Sequence, residues 1–406
     1  MIPIKPDDRN TETMIRQGSV YEVLLVFLHL GLTSFGGPAA HLGYFRDAIV
    51  ARRQWLDEAA YADIVALCQF LPGPASSQVA VSVGILRAGL PGGIAAWFGF
   101  SIPSALALIA FGYGVTKVRD ITHAPWLHGL KIVAVAVVAQ AVWNMARTLC
   151  PDRTRASLCV GAAVLAFTFP SALGQIGAIV LGGAIGWCCL SGITPQPKGR
   201  LSCPISRTSA FVSLMAFIVL AVALPVMAAT GSHLLQLINA FYRSGYLVFG
   251  GGHVALPLLQ RAVIPSGWID NDTFLAGYGV AQAVPGPLFT FAAYLGTVTG
   301  SAPNGISGGL ICLIAIYLPS FLLLVGILPF WDTLRRQASV QAALRGVNAA
   351  VVGLLLAALY TPVWTSGITG SRDFGIGIVA FLALVFWKMP PWIVVIAGAV
   401  VALITS

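Results

Sequence analysis

The chain has 406 residues, of which 57% are hydrophobic and 9% charged. A soluble domain carries roughly 25% charged residues, so there is too little charge here to coat a soluble protein, and the bilayer must be the solvent for most of the surface. A net charge of +9 would suit nucleic acid, but the basic residues sit in short runs between apolar segments. They lack interleaved aromatics or a basic helix face, so they read as membrane orientation and not as nucleic-acid binding.

Met1 to Ser19 forms a polar N-terminal segment (1–19) with no apolar stretch or cleavage site of its own. The apolar run that follows is expected to act as a retained insertion signal. Apolar segments lie near 20–41, 59–86, 90–116, 128–147, 156–170, 172–191, 208–229, 235–257, 273–298, 305–330, 340–363, 373–387 and 390–405. A spanning helix needs roughly 20 residues, which predicts an all-α membrane protein of about 10–13 transmembrane segments. The pairs around Pro170 and around Pro390-Pro391 are read as tight hairpins. A polar linker, 192–207, separates two halves. The organisation expected is a first repeat over 20–191, a linker plus connecting helix over 192–234, and a second repeat over 235–406.

The halves repeat in register. Phe35-Gly36-Gly37-Pro38, Trp55-Leu56-Asp57 and Gln69-Phe70-Leu71-Pro72-Gly73-Pro74 are answered by Phe249-Gly250-Gly251-Gly252, Trp268-Ile269-Asp270 and Gln282-Ala283-Val284-Pro285-Gly286-Pro287. Further on, Ile102-Pro103-Ser104 answers Leu318-Pro319-Ser320, and Leu130-Lys131 answers Leu344-Arg345. If 208–229 is an extra crossing, the second repeat starts from the other side of the membrane and the repeats are inverted, with a site at their interface. Placing the N-terminus inside puts most basic runs inside; Arg46, Arg52 and Arg53 are then expected outside, against the rule.

The strings FGGPAAHLGYF (35–45), LCQFLPGPASSQ (67–78), VFGGGHVALPLL (248–259), AQAVPGPLFTFAAYLG (281–296) and ALRGVNAAVVGLLLAALYTPVW (343–364) resemble the chromate ion transporter family in its long, two-domain form. The resemblance covers roughly 20–400. It implies a multi-pass protein of the plasma (inner) membrane that exports chromate, with protons as coupling ion. Sulfate is nearly isosteric with chromate and is the alternative substrate of an anion permease or channel on the same fold. A homodimer is the oligomer considered.

The residues themselves point to an anion. Pro72-Gly73-Pro74 and Pro285-Gly286-Pro287 sit inside apolar segments, where they should break the helix. Broken backbone at membrane depth is tolerated only where protein or a water-filled cavity satisfies it. The half-helix after each break offers free amides and a positive dipole end, which suits an oxyanion. A plain proline kink that packs helices is the alternative. Gly36, Gly37, Gly250, Gly251 and Gly252 allow close backbone approach to a ligand or to another helix. Gln69, Gln78 and Gln282, with Ser34, Ser76, Ser77 and Thr290, could complete a polar shell or serve as interhelical glue. Arg46, Arg52 and Arg53 are read as a vestibule that gathers dianions. Lys131, Arg243 and Arg345 lie near segment ends, where snorkelling is expected. His253, His41 and Asp63 are the candidates for proton coupling. No nucleotide-binding loop, HExxH, GxSxG or clustered Cys/His pattern is present, so no enzyme, cofactor or metal site is expected, and a membrane-embedded enzyme acting on lipids is the distant alternative.

Overall fold

A computed structural model of the chain describes residues 18–35, 37–117, 125–169, 172–190, 204–249, 255–334 and 337–405. Among them there are helices and no strands. In the first half these are α1 (Val20–Thr33), α2 (Gly37–Phe45), a π-turn (Arg46–Arg52), α3 (Glu58–Phe70), α4 (Ala75–Lys117), α5 (Pro125–Leu149), α6 (Arg153–Thr168) and α7 (Ala172–Cys189). Next come α8 (Arg207–Ala228), α9 (His233–Leu247), α10 (Ala255–Val263), α11 (Asn271–Ala283), a 3₁₀ turn (Leu288–Thr290), α12 (Phe291–Val298) and α13 (Gly305–Ile327). The chain closes with α14 (Trp331–Leu334), α15 (Ala338–Ala358), a second π-turn (Leu359–Trp364), α16 (Thr365–Gly367), α17 (Ser371–Val385) and α18 (Pro391–Thr405).

The repeated Trp-x-Asp motif has a local meaning. Asp57 accepts the Ala60 amide at 2.7 Å and Asp270 accepts the Thr273 amide at 2.8 Å, so each aspartate N-caps the helix that leads to a Pro-Gly-Pro break. Trp55 is buried beneath its cap.

Among the described residues five helices are long and apolar enough to cross a membrane by length and composition: Ala75–Thr116, His128–Leu149, Arg207–Ala228, Gly305–Phe330 and Ala338–Gly367. The segments expected at 20–41, 59–86, 235–257 and 273–298 are each divided into half-length helices. α4 leaves helical geometry at Ala88 and Gly89, giving a short limb, 75–87, and a long limb, 90–117.

Contacts show how the halves fold back. The Gly18 amide donates to the Arg87 carbonyl at 3.0 Å, and the Arg87 guanidinium lies 4.8 Å over the Trp55 ring. Residues 18, 55 and 87 therefore share one end, the near face. Phe45 at the end of α2 packs edge-on against Phe27 of α1, centroids 5.6 Å apart, and Tyr61 Oη donates to the Leu42 carbonyl at 2.6 Å. α1 with α2, and α3 with the short limb of α4, are thus two re-entrant hairpins. The first turns back after Ser34-Phe35, and the tip of the second is 71–74.

The second repeat does the same from the other end. His233 and Trp268 rings lie 5.0 Å apart, and the Gly300 amide donates to the Trp268 carbonyl at 3.3 Å. Tyr294 Oη donates to the Thr273 carbonyl at 2.8 Å, closing the hairpin of α11 on α12. This end meets the finish of α4, where Tyr113 Oη accepts the Ile306 amide at 3.0 Å. The long limb of α4 spans about 40 Å at 1.5 Å per residue, so the open ends of the two hairpin sets lie on opposite faces. The packing agrees. Leu324, Leu328 and Trp331 at the end of α13 join the core of the first-repeat hairpins. Ala105, Leu108 and Ile109 of α4 join that of the second.

One sequence-based expectation is corrected here. Arg46, Arg52 and Arg53 do not lie across the membrane from the N-terminal side. The hairpin of α1 on α2 returns the chain, so they share the near face with Gly18. An apolar run of one crossing and a pair of half-helices that turn back have the same hydropathy, which is why the sequence alone misplaced them.

Candidate functional site

The tips of the two hairpin sets meet. The Gly73 amide donates to the Val248 carbonyl at 2.6 Å, and the Gly286 amide donates to the Ser34 carbonyl at 3.0 Å. Val248 and Ser34 each precede the Phe-Gly-Gly motif of their repeat. Each Pro-Gly-Pro break is therefore tied to the Phe-Gly-Gly tip of the other repeat. Gly73 and Gly286 hold φ of +123° and +106°, a region costly for any residue with a Cβ. A Cβ on Gly73 would overlap the Ser320 side chain, and one on Gly286 would come within 2.9 Å of Ser104 Oγ. Ser104 and Ser320 are the matched serines of the two Ile/Leu-Pro-Ser motifs, so these cross-contacts too are reciprocal. They donate to the carbonyls of Ser101 and Tyr317 at 3.0 and 2.9 Å.

Polar side chains gather around this junction. Ser34, His41, Ser76, Ser77, Gln78, Ser101, Ser104, Thr290 and Ser320 are all buried. Gln78 Nε2 donates to the Pro72 carbonyl at 2.8 Å and Thr290 Oγ1 to the Pro287 carbonyl at 2.7 Å, so each break has one of its proline carbonyls satisfied by a side chain. Ser77 Oγ reaches Tyr317 Oη at 3.5 Å across the repeats. Several buried polar atoms have no hydrogen-bond partner among the described residues: Ser34 Oγ, both His41 ring nitrogens, Gln78 Oε1, Ser101 Oγ and Gln282 Nε2. Burying such groups unpaired costs roughly 1–3 kcal/mol each, a cost that a polar ligand would relieve.

Gln78 and both Pro-Gly-Pro triplets lie at the junction; the other expected residues stand as follows. Gln69 is exposed one turn before its break, unlike half-buried Gln282. Gly36, Gly250, Gly251, Gly252 and His253 lie outside the described residues. Asp63 is half-buried on α3. Arg46, Arg52 and Arg53 are exposed, and Arg46 is held by Glu58, with Nε to Oε2 at 3.0 Å. Arg243 is half-buried on α9. Lys131 does not snorkel. It is buried, and its Nζ lies 2.6 Å from Asp272 Oδ1 in the first turn of α11. Arg345 Nη1 donates to the Leu190 carbonyl at 3.4 Å, just beyond α7. Sequence reading missed the Arg87–Glu22 ion pair, 3.1 Å, although two opposite charges facing apolar runs were its signal.

Among the described residues three cavities stand out, one of which borders the junction at Tyr317. Two, of 580 and 440 Å³, are mainly apolar. The third, 430 Å³, is lined by Gln260, Arg261 and Asn271. With the Gln175 amide turned so that its oxygen faces the guanidinium, Arg261 Nη1 and Nε donate to it at 3.0 and 3.3 Å. Among the described residues no group of three His, Cys, Asp or Glu side chains could hold a metal ion.

The duplicated breaks have counterparts in known proteins. The sequence model of the chromate transporter family matches residues 21–187 and again 235–403. The chain belongs to the chromate transporter family. It is 28% identical to the chromate transport protein of Pseudomonas aeruginosa over 95% of this chain and 92% of that one. It is 26% identical to the probable chromate transport protein of Synechococcus elongatus, over 94% of each. The uncharacterized transporter YwrA of Bacillus subtilis is 30% identical over 40% of this chain and 92% of its own length, so one repeat accounts for nearly all of that protein. No solved structure matches the chain. These relatives are transport proteins, and a chromate transporter, not an enzyme, is what the family makes of this chain.

Proposed function

We propose that the junction of the two re-entrant tips is the anion site, and that the protein exports chromate through it by alternating access. One observation supports this above the rest. The reciprocal bonds Gly73–Val248 and Gly286–Ser34 bring both helix breaks and a set of unpartnered buried polar atoms to one place. An oxyanion bound there would accept from amides and hydroxyls that have lost water, at half-helix ends whose dipoles favour negative charge. The repeats are read as inverted, with hairpins opening to opposite faces, so that rocking of one set against the other would expose the junction to each side in turn.

The near face is read as cytoplasmic. Arg46, Arg52, Arg53 and Arg87 lie on it, and following the chain from the far end of α4 through α5, α6 and α7 puts the helix ends bearing Arg147, Arg153, Arg155 and Arg207 there too; cytoplasmic surfaces concentrate such residues. On this reading the exposed arginines collect the dianion inside the cell, the membrane is the plasma membrane, and protons are the coupling ion. The test is chromate flux in proteoliposomes and inside-out vesicles, with sulfate as competitor. A pH gradient should drive accumulation of chromate. Equilibration alone would make the protein a channel and remove the coupling.

A further inference from the structure

The first repeat holds an ion pair at a place where the second holds two amides. In the register of the Phe-Gly-Gly and Trp-x-Asp motifs, Arg46, Asp47 and Glu58 are answered by Gln260, Arg261 and Asn271. Arg46 Nε donates to Glu58 Oε2 at 3.0 Å. Gln260 Nε2 donates to Asn271 Oδ1 at 2.9 Å, so the second repeat keeps the bridge and discards its charges. The three positions carry a net negative charge in the first repeat and a net positive charge in the second. We propose that the 430 Å³ cavity lined by Gln260, Arg261 and Asn271 is an oxyanion site separate from the junction. It lies toward the face opposite Gly18 and takes a tetrahedral oxyanion, either free, as chromate or sulfate, or as the phosphate of a lipid headgroup.

The polar wall is built and held. Gln260 is 6% exposed, and Asn271 Nδ2 donates to Ser366 Oγ at 2.8 Å, which fixes both amides. Gln175 of α7, also buried, turns its oxygen to Arg261 Nη1 and Nε at 3.0 and 3.3 Å, so the guanidinium is oriented before any ligand arrives. Arg261 stands six residues along α10 from Ala255, about 9 Å outward at 1.5 Å per residue. The end of α6, at Ala166 and Phe167, and the second π-turn, at Thr361, supply other walls. Thr361 leaves helical geometry there. Phe167 meets Tyr360 edge to face at 5.9 Å, and both rings are exposed, as aromatic side chains at a membrane interface are.

Charge and room both suit the ligand. Among the described lining residues there is no carboxylate. The two acids nearest in sequence are engaged: Asp270 accepts the Thr273 amide and hydroxyl at 2.8 and 2.6 Å, and Asp272 is paired with Lys131. A guanidinium inside a membrane protein is costly and marks ligand sites, and its planar fork matches the oxygens of a tetrahedral anion. At about 30 Å³ per water, the cavity has room for an oxyanion with part of its hydration shell, or for a headgroup phosphate lying against the apolar walls.

The test counts bound anions. Delipidated wild-type protein titrated with chromate by equilibrium dialysis in detergent should bind at two kinds of site. Arg261→Gln should weaken one of them by about tenfold or more and leave the other, which Gly286→Leu removes. Asn271→Asp keeps the bonds to Gln260 and Ser366 and restores an acid where the first repeat has Glu58, so it should weaken the same site as Arg261→Gln. It decides the matter should Arg261→Gln fail to fold. A second arm uses phosphatidylglycerol, with retention read by native mass spectrometry: loss of retained lipid from either variant, with chromate binding unchanged, assigns the site to a headgroup phosphate. Chromate binding and lipid retention both unchanged in the folded variants would overturn the inference and leave the junction site in place. Chromate binding unchanged by Gly286→Leu but lost in Arg261→Gln would remove the junction site and leave this one.

Discussion

Leu71 to Pro74 in the first repeat and Val284 to Pro287 in the second perform the same act with the backbone and differ in what surrounds it. Each holds a glycine in the left-handed region and donates that glycine's amide to the tip of the other repeat. Beside the first stands Gln78, whose place in the second is taken by Phe291, both buried. On the Phe-Gly-Gly side, His41 of the first repeat is answered by the small Ala255 of the second. The difference teaches that duplication fixed the framework through backbone, and that the side chains later diverged between the two tips. The framework should therefore fail symmetrically, and the chemistry should fail on one side at a time.

The largest effect tests the shared part. Gly73→Leu and Gly286→Leu should each lower chromate flux in proteoliposomes by about 100-fold or more, since both lose the φ and the space the junction needs. With alanine the two should separate. The left-handed conformation costs about 1–2 kcal/mol in each, but Gly73→Ala also overlaps Ser320 Cβ, so it should unfold at lower temperature than Gly286→Ala. Adding Ser320→Gly should recover part of that difference. Equal losses with no recovery would show that the contact with Ser320 is not what distinguishes the tips.

The next effect lies in the first turn of α11. Asp272→Asn strands the buried Lys131 ammonium, whereas Lys131→Met leaves a carboxylate whose side chain is 35% exposed. Thermal unfolding should show Asp272→Asn as the more damaging, by about 1–3 kcal/mol. That is less than the ~3–5 kcal/mol of a fully buried pair, because water screens one partner. The reverse order would mean that Lys131 reaches water after all. The asymmetry of the faces predicts a smaller change: replacing Arg46, Arg52 and Arg53 together by Gln should raise KM for chromate on the near face about threefold at low salt, fading as salt screens the field. Smallest of all, Gln282→Ala should weaken chromate binding more than Gln69→Ala, because Gln69 is exposed and Gln282 Nε2 is buried without a partner.

Much of this was legible before any fold was known. The Pro-Gly-Pro breaks, the matched Ile/Leu-Pro-Ser serines and the Trp-x-Asp caps occupy matching places in the two halves. The expectation that the helices break at these triplets matches the positive φ at Gly73 and Gly286, whose amides are taken by carbonyls of the other repeat. Direction of travel was not legible. Hydropathy registers how apolar residues 20–41 are, not whether the chain turns back between α1 and α2, so a single crossing puts Arg46, Arg52 and Arg53 on the wrong face. Long-range pairing was equally silent. Nothing local ties Lys131 to Asp272, Arg87 to Glu22 or Gly286 to Ser34, because each bond depends on how separate elements dock.

Crystals soaked in chromate and measured at the chromium edge would locate the ion directly. The account predicts an anomalous peak between the two tips, within hydrogen-bonding reach of Gly73 or Gly286 and the unpaired atoms of Gln78 and Ser34. A sole peak beside Arg261 in the 430 Å³ cavity, with the tips still bonded to each other, would contradict it.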